Sequence, residues 1–223
     1  MARRRVHSDD AILDAARDLL VHSGPEAATT GAISARSGAP VGSLYHRFGS
    51  RGRIFAEVWL RTVRRFQEEL QEELQAGPPA DGAHREVERA LAVADRVVDF
   101  AVRHPEDARL LLEGRREELV AGADLPEETR QALAGLNRPV ARLLEDLAAE
   151  VFGAATPQAL EAVTIAVVDV PYAVVRRHLR RGTSPGEHRA LVAQAARALL
   201  QAPGVAVGDG AEPGKNLRAH RDT

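Results

Sequence analysis

The amino-acid sequence predicts an all-α protein of about nine helices. Apolar residues recur every three or four positions along most of the chain, which is the spacing of one buried helix face. Glycine, proline and capping residues interrupt this pattern at intervals that suit helices of ordinary length. The 223 residues include no cysteine, which excludes disulfides and thiolate metal sites. The histidines are scattered without metal-ligand spacing, so we expect neither a metal nor a cofactor.

The N-terminal third of the chain predicts four helices. Ser8 and Thr30 are suitable N-caps for the first two, and the sequence "SGPE" ends the first one. Gly38 supplies a turn after the second helix. The four helices are expected at about 8–23, 30–37, 41–47 and 50–75.

The rest of the chain predicts five further helices. Pro139 is expected to kink or split the third of them, and Pro171 to kink the fourth. The fourth is rich in β-branched residues and would also suit a strand, but its length and its flanking helix signals favour a helix. Ser184 begins a capping box for the last. The five are expected at about 87–103, 105–112, 124–153, 157–181 and 184–200.

Charge divides the chain into two parts. Residues 1–66 hold 11 arginines and 6 acids, whereas the remainder is acidic, for a net charge of −2. A small basic module with an anionic partner, followed by a larger acidic body, explains this asymmetry. We therefore predict domains at 8–55 and 56–202, and a disordered tail at 203–223 that is rich in glycine, proline and charge. No run approaches the eighteen uncharged apolar residues of a membrane span, so a cytoplasmic protein is expected.

The third predicted helix is too short to be stable alone. Leu44 and Phe48 share one face that can pack on the first two helices, and a small polar face is left for solvent. This is the helix-turn-helix arrangement, whose second helix enters the major groove of double-stranded DNA. Gly42 and Ser43 permit close approach, Ser43 and Tyr45 can donate to phosphates, and His46 or Arg47 can reach phosphates or bases. The predicted DNA-binding residues on this helix are Val41, Gly42, Ser43, Tyr45, His46 and Arg47.

The start of the fourth helix carries cations where the helix dipole favours acids. Arg51 and Arg53 lie in its first turn, and no acid appears before Glu57. A phosphate bound at Ser50 and Arg51 would account for this charge. The start of the second helix, at Thr30, is expected to bind a phosphate in the same way.

The stretch "TTGAISARSGAPVGSLYHRFGSRGRIFAEVW" at 29–59 resembles the N-terminal domain of the tetracycline-repressor (TetR) family. Ser43 and Arg51 replace the family's threonine and lysine and keep a donor. Pro40 replaces the usual capping serine, and Arg47 stands where histidine is commoner. Further departures are Ser34, Ser37 and Ala39. The direct matches are Thr30, Ile33, Gly38, Gly42, Leu44, Tyr45, Phe48 and Ser50.

The resemblance implies a ligand-responsive transcriptional regulator, with a C-terminal body that dimerises and encloses a small-molecule pocket. The expected homodimer forms through the helices at 157–181 and 184–200, and reads a palindromic operator with two helices about 34–36 Å apart or a wider multiple. A small, mostly apolar effector of unknown identity is expected to release the DNA through a swing of the fourth helix. Candidate pocket residues are Phe100, Asn137, Asp169 and Tyr172.

Two other functions remain open at this stage. A small-molecule-processing helical enzyme is the first, although the chain contains no H-E-x-x-H, G-x-S-x-G, P-loop or nucleotide fingerprint, and we predict that the protein is not an enzyme. A DNA-binding protein without ligand control is the second. The size of the body argues against this second reading, because binding to the DNA backbone would not require it.

Overall fold

The structure of the chain is a computed structural model, which describes residues 8–76 and 85–202. Every regular element in these two ranges is a helix, so the predicted all-α class is confirmed. The α-helices are α1 (Asp9–Ala27), α2 (Thr30–Ser37), α3 (Val41–Phe48), α4 (Arg51–Ala76), α5 (Arg85–Arg103), α6 (Pro105–Glu113), α7 (Arg116–Leu119), α8 (Glu127–Gly135), α9 (Arg138–Phe152), α10 (Pro157–Thr164), α11 (Val170–Arg180) and α12 (Arg189–Leu200).

The first two helices begin at side-chain caps. The Ser8 hydroxyl accepts a hydrogen bond from the Ala11 N–H at 3.1 Å, as predicted. For α2 the cap is Thr29, whose hydroxyl accepts from the Ala32 N–H at 3.1 Å, and Thr30 is the first helical residue. The prediction of Thr30 as the cap was wrong by one position, because two adjacent threonines offer the same hydroxyl and only backbone geometry selects between them.

The structure divides one long helix of the sequence prediction, 124–153, and breaks another at its predicted end. Helix α1 has a break at Gly24, where φ is 81°, within the sequence "SGPE" that was predicted to end it, and a single turn follows. Pro139 lies in the first turn of α9, where a backbone N–H would have no acceptor within the helix, so proline is tolerated there. The predicted helix is therefore split into α8 and α9. The short α7, at Arg116–Leu119, was not predicted.

The β-branched run forms a helix and not a strand. It is a continuous rod, Pro157–Arg180, in which a π-helical segment, Ile165–Asp169, connects α10 to α11 just before Pro171. By length and apolar composition this rod could cross a membrane, but Val163, Ala166 and Val167 are fully buried in the protein core. The rod contacts α5, α9 and α12, so it is a core helix of the body.

The last helix follows one turn of 3₁₀-helix. Pro185–His188 forms this turn, and the Ser184 hydroxyl accepts from the Gly186 N–H at 3.2 Å. The predicted capping box would have used the N–H of Glu187, so the serine caps the 3₁₀ turn instead. The predicted tail at 203–223 lies outside the described residues, and so does the segment that joins α4 to α5.

The apolar side chains form three clusters that meet at α6. One cluster holds the N-terminal helices together and includes Leu110 of α6 and Leu119 of α7. A second fills the body between α5, α9, α10, α11 and α12, and includes Ala108 of α6. A third packs the middle of α4 against α8. Helix α6 therefore belongs to the cores of both predicted domains, and the boundary at 55/56 stays a prediction.

Candidate DNA-binding surface and effector cavity

The turn between α2 and α3 is fixed by hydroxyl groups of α2. Gly38 ends α2 with φ at 72°, a left-handed conformation that suits glycine. The Ser34 hydroxyl donates to the Ala39 carbonyl at 2.7 Å, and the Ser37 hydroxyl donates to the Ile33 carbonyl at 2.7 Å. Ala39 is fully buried. The two serines, which replace alanines in the family resemblance, thus hold the turn that directs α3.

Two buried side chains hold helix α3 against its neighbours, and its other side chains are exposed or half-buried. Leu44 and Phe48 are buried in the N-terminal cluster, as their spacing predicted. Val41, Gly42 and His46 are exposed, Tyr45 is 51% exposed and Ser43 is half-buried. A Cβ atom added at Gly42 would meet no atom within 4 Å, so this glycine leaves open space for a partner to approach.

Two hydroxyl groups lie side by side between α2 and α3. The Thr30 hydroxyl is 3.5 Å from the Tyr45 hydroxyl, on the exposed surface. Thr30 occupies the first turn of α2, where backbone N–H groups have no intrahelical acceptor. A phosphate oxygen at this point would accept from both hydroxyls and lie at the positive end of the helix dipole.

The start of α4 offers a second place for a phosphate. The Ser50 hydroxyl accepts from the Arg53 N–H at 3.2 Å, and the first turn contains no acid, as predicted. The Arg51 guanidinium lies over the Phe55 ring, 5.1 Å from its centre. This cation–π contact orients a cation at the helix N-terminus and leaves its N–H donors at the edge for an anion.

The Arg47 side chain contacts an acidic residue at the start of α1. Its guanidinium forms an ion pair with Asp9 at 3.0 Å. Asp10 and Asp14, the other acids at the start of α1, pair with Arg61 of α4 at 3.2 and 2.6 Å. No local sequence pattern indicates the partners of these acids.

A further ion pair joins α1 to α2. Asp18 accepts from Arg36 at 2.9 Å and from Arg17 at 3.0 Å. Burial raises the pKa of the Asp18 carboxyl, but the hydrogen bonds from Arg36 and Arg17 outweigh it and hold this pKa below its usual range. Several arginines of the basic module therefore serve the fold.

An apolar cavity of about 180 Å³ lies in the body. Of the predicted pocket residues, Phe100 and Tyr172 line it. Asn137 and Asp169 are exposed and are not among its lining residues. The lining residues come from α4, α5, α6, α9, the π segment and α11, and they are Phe66, Leu70, Val93, Val97, Phe100, Ala101, Ala108, Leu111, Leu112, Val140, Leu143, Leu144, Val167, Val168, Tyr172 and Val175.

Residues 12–58, which include the turn and all of α2 and α3, match the family model of bacterial regulatory proteins of the tetR family. The chain carries a tetR-family DNA-binding domain. The match covers the buried residues of the N-terminal cluster except Leu110 and Leu119, and the first third of α4, and it confirms the resemblance of this stretch. No curated protein matches the chain.

Solved structures with the same fold extend across the body. The fatty acid degradation regulator FadR from Bacillus halodurans superposes with a TM-score of 0.64 at 15% identity, over 87% of this chain and 99% of its own. FadR from Bacillus subtilis, solved in complex with stearoyl-CoA, gives 0.64 at 14% identity, over 87% and 98%. A TetR-like regulator from Rhodococcus sp. RHA1 gives 0.62 at 20% identity, over 86% and 92%. At these identities the likeness shows the fold.

One buried carboxylate connects the tetR-family domain to the body. Asp107 of α6 is only 1% exposed. It accepts from Arg17 of α1 at 2.8 Å and from Arg65 of α4 at 2.6 Å. Burial lowers the pKa of Arg17, but its hydrogen bond to Asp107 contributes to a net rise. Since a buried carboxylate is costly without partners, this three-way pair fixes α6 against both α1 and α4.

The opposite end of α6 is tied to the cavity wall. The Tyr172 hydroxyl of α11 donates to the Leu112 carbonyl at 3.1 Å. Leu111 and Leu112 themselves line the cavity, and Leu110 between them and Asp107 packs in the N-terminal cluster. The sequence predicted α4 as the one helix that connects the DNA and ligand sites, and the structure adds α6. The residues that α6 contacts are far from it along the chain, so local sequence patterns do not predict these contacts.

Proposed function

We propose that the protein is a cytoplasmic transcriptional repressor that binds a palindromic operator as a homodimer and releases it when a small apolar effector fills the body cavity. The observation that carries this proposal is α6, which lines the cavity and also holds the DNA-binding domain through Asp107. The tetR-family domain and the fold of the whole chain support the same function.

The proposed DNA contacts fall into two groups. Thr30, Tyr45, Ser50 and Arg51 contact phosphates, because each offers a donor at or beside a helix N-terminus. The second group lies on the outward face of α3 and comprises the exposed Val41, Gly42 and His46 and the half-buried Ser43. Ser43 and His46 read base edges there, and Gly42 permits close approach.

Arg47 has a different position in this proposal. Its guanidinium is paired with Asp9, so a phosphate would share the guanidinium with this carboxylate or replace it in an exchange of anions. The energetic gain from such an exchange is small, because the ion pair that is lost resembles the one that is formed. We therefore assign Arg47 to the orientation of α3 in the free protein and to an auxiliary phosphate contact in the complex.

The homodimer is proposed to form through the helices at 157–181 and 184–200. Ile165 on the rod is 37% exposed and Leu191 on α12 is 57% exposed, although both are large apolar residues. A second copy of the chain would cover them. The two-fold axis of such a dimer would relate two α3 helices, as a palindromic operator requires.

The proposed effector occupies the apolar cavity. No charged side chain lines this cavity among the described residues, and its one hydroxyl, on Tyr172, already donates to Leu112. The ligand in contact with these walls must therefore be mainly hydrocarbon, because an unpaired polar group would lose its hydration. The stearoyl-CoA bound to the Bacillus subtilis FadR, which has the same fold, is a ligand with such a part.

The effector is proposed to act by displacing α6. Leu111 and Leu112 would shift with the cavity wall, and Asp107 lies on the same helix within two turns. Movement of its carboxylate changes the positions of Arg17 and Arg65, and with them α1 and α4. The separation of the two α3 helices in the dimer then no longer matches the operator.

The test is DNA binding by the purified chain. We expect protection of a palindrome upstream of its own gene, by a dimer or a pair of dimers, with an affinity that falls steeply with salt, since each neutralised phosphate contributes about −0.9 to the log–log slope. A thermal-shift screen of small apolar molecules should find stabilising compounds. A chain that stays monomeric and ignores this DNA would overturn the proposal. DNA binding without any stabilising compound would instead favour a DNA-binding protein without ligand control.

A further inference from the structure

The apolar cavity adjoins a second cavity of about 180 Å³ that is polar. Leu70, Val140 and Leu143 line both spaces, so the two meet at these three side chains. The second cavity, which we call the polar mouth, lies between α4, α5 and α9. Its remaining lining residues are Gln67, Gln71, Arg89, Pro139, Arg142 and Asp146.

Two of the polar groups in the mouth already have partners. Arg89 forms an ion pair with Glu150. The Gln67 side-chain amide donates to the Leu136 carbonyl at 2.6 Å. These existing bonds fix the two groups as part of the wall of the mouth.

Two other groups have donors to offer. Arg142 and Gln71 are exposed, and neither forms an ion pair or hydrogen bond with another residue within 8–72 or 85–202. Asp146, one helical turn after Arg142 on α9, is the opposing charge in the mouth. Because a guanidinium and an amide N–H₂ both donate, the pair Arg142 and Gln71 suits an acceptor with negative charge.

We propose that the effector is an amphiphile with a straight hydrocarbon chain and an anionic head group that carries a carboxylate or a phosphate. Its chain fills the apolar cavity, and its head group binds Arg142 and Gln71 in the polar mouth. This inference rests on the proposed function, since it names the chemical class of the effector for that same cavity. It also places the head group against α4 through Gln71, and this helix begins at its proposed DNA-binding end, where Ser50 precedes it and Arg51 lies in its first turn.

The experiment compares decanoate with decanol, which share a chain and differ in the charge of the head group. Both are titrated into the full-length protein by calorimetry. We expect decanoate to bind about fivefold more tightly than decanol, the size of a well-placed but solvent-accessible ion pair. Equal affinities, or tighter binding of decanol, would exclude a carboxylate as the head group, and the whole assignment would be overturned if decanoyl-coenzyme A also bound no more tightly than decanol.

Two charge variants on the same helix give opposite expectations. Arg142→Gln should weaken decanoate about fivefold and leave decanol unchanged, since it removes the cation alone. Asp146→Asn should strengthen decanoate about twofold, because it removes a nearby negative charge. Reversed signs would assign the mouth to a cationic head group and overturn the proposal. Both residues are exposed, so each variant should have the same melting temperature as the natural chain. An unchanged melting temperature would show that the variant is folded.

A third ligand identifies the source of the anionic charge. Decanoyl-coenzyme A carries phosphates beyond its thioester, whereas decanoate carries only a carboxylate. Tighter binding of either one than of decanol supports the proposal, and the tighter of the two identifies the source. Failure of the proposed function itself has a different signature: none of the three compounds would bind, and Ala101→Phe, which fills the apolar cavity from α5, would leave DNA affinity unchanged.

Discussion

Helices α3 and α6 are nearly equal in length, with 8 and 9 residues, but they lie in opposite surroundings. Each is too short to be stable alone and depends on its neighbours. Helix α3 contributes Leu44 and Phe48 to one core and presents its remaining face to solvent. Helix α6 contacts α1, α4, α5 and α11, and contributes to two cores. The difference indicates that α3 can change its contacts without affecting the fold, whereas α6 cannot move without moving both domains.

Their ion pairs differ in the same way. Arg47 of α3 pairs with Asp9, whose side chain is 51% exposed, so water and salt screen the pair. Asp107 of α6 is buried and has two arginine partners. Loss of the exposed pair is therefore expected to affect local orientation, and loss of the buried pair to affect the connection between the domains.

The largest expected effect comes from removing the buried charge. Asp107→Asn leaves Arg17 and Arg65 without their shared anion, and the free energy of unfolding should fall by about 3 kcal/mol. Urea denaturation measures this change. The matched control is Asp9→Asn, which removes an exposed carboxylate of the same type and should cost less than about 1 kcal/mol. Equal losses for the two variants would contradict the difference between the two helices.

A smaller effect is expected from the outward face of α3. Ser43→Ala should reduce discrimination at one base position of the operator by about 1–3 kcal/mol while the protein remains as stable as before. Competition between the operator and its single-base variants measures this. A uniform loss of affinity for every sequence would instead assign Ser43 to a phosphate.

The smallest effect is expected at the hydroxyl pair. Tyr45→Phe removes the hydroxyl that lies 3.5 Å from that of Thr30, and should weaken DNA binding by about 1 kcal/mol for all sequences alike. Binding titrations with the operator and with an unrelated duplex measure this. The phosphate assignment would be contradicted if the variant changed sequence preference while the overall affinity stayed the same.

The α3 region could be predicted from the sequence because its determinants are local. Leu44 and Phe48 are four residues apart, and Gly38 with the serines of α2 lies within the same short stretch. The family resemblance also covers this stretch alone. By contrast, Asp107 is 90 residues from Arg17 and 42 from Arg65, so no periodicity relates the three.

The cavity could be predicted only in part for a related reason. Asp169 and Asn137 were among the predicted pocket residues, but the walls of this cavity are hydrocarbon, and both residues are exposed. The π-helical segment at Ile165–Asp169 also changes which side chains of the rod share a face, and sequence spacing at 3.6 residues per turn does not anticipate it. Phe100 and Tyr172 were placed correctly at the cavity, and their role in binding stays a prediction.

The most direct test of the account is a pair of titrations that measures coupling between cavity and DNA. Decanoate is titrated into the protein alone and into the protein saturated with its proposed operator duplex. Coupling through α6 predicts that operator weakens decanoate binding by about 5–150-fold, and that decanoate weakens operator binding by the same factor, as thermodynamic linkage requires. Asp107→Asn should reduce this factor. Equal decanoate affinities with and without the operator would contradict the claim that the cavity controls the DNA-binding domain.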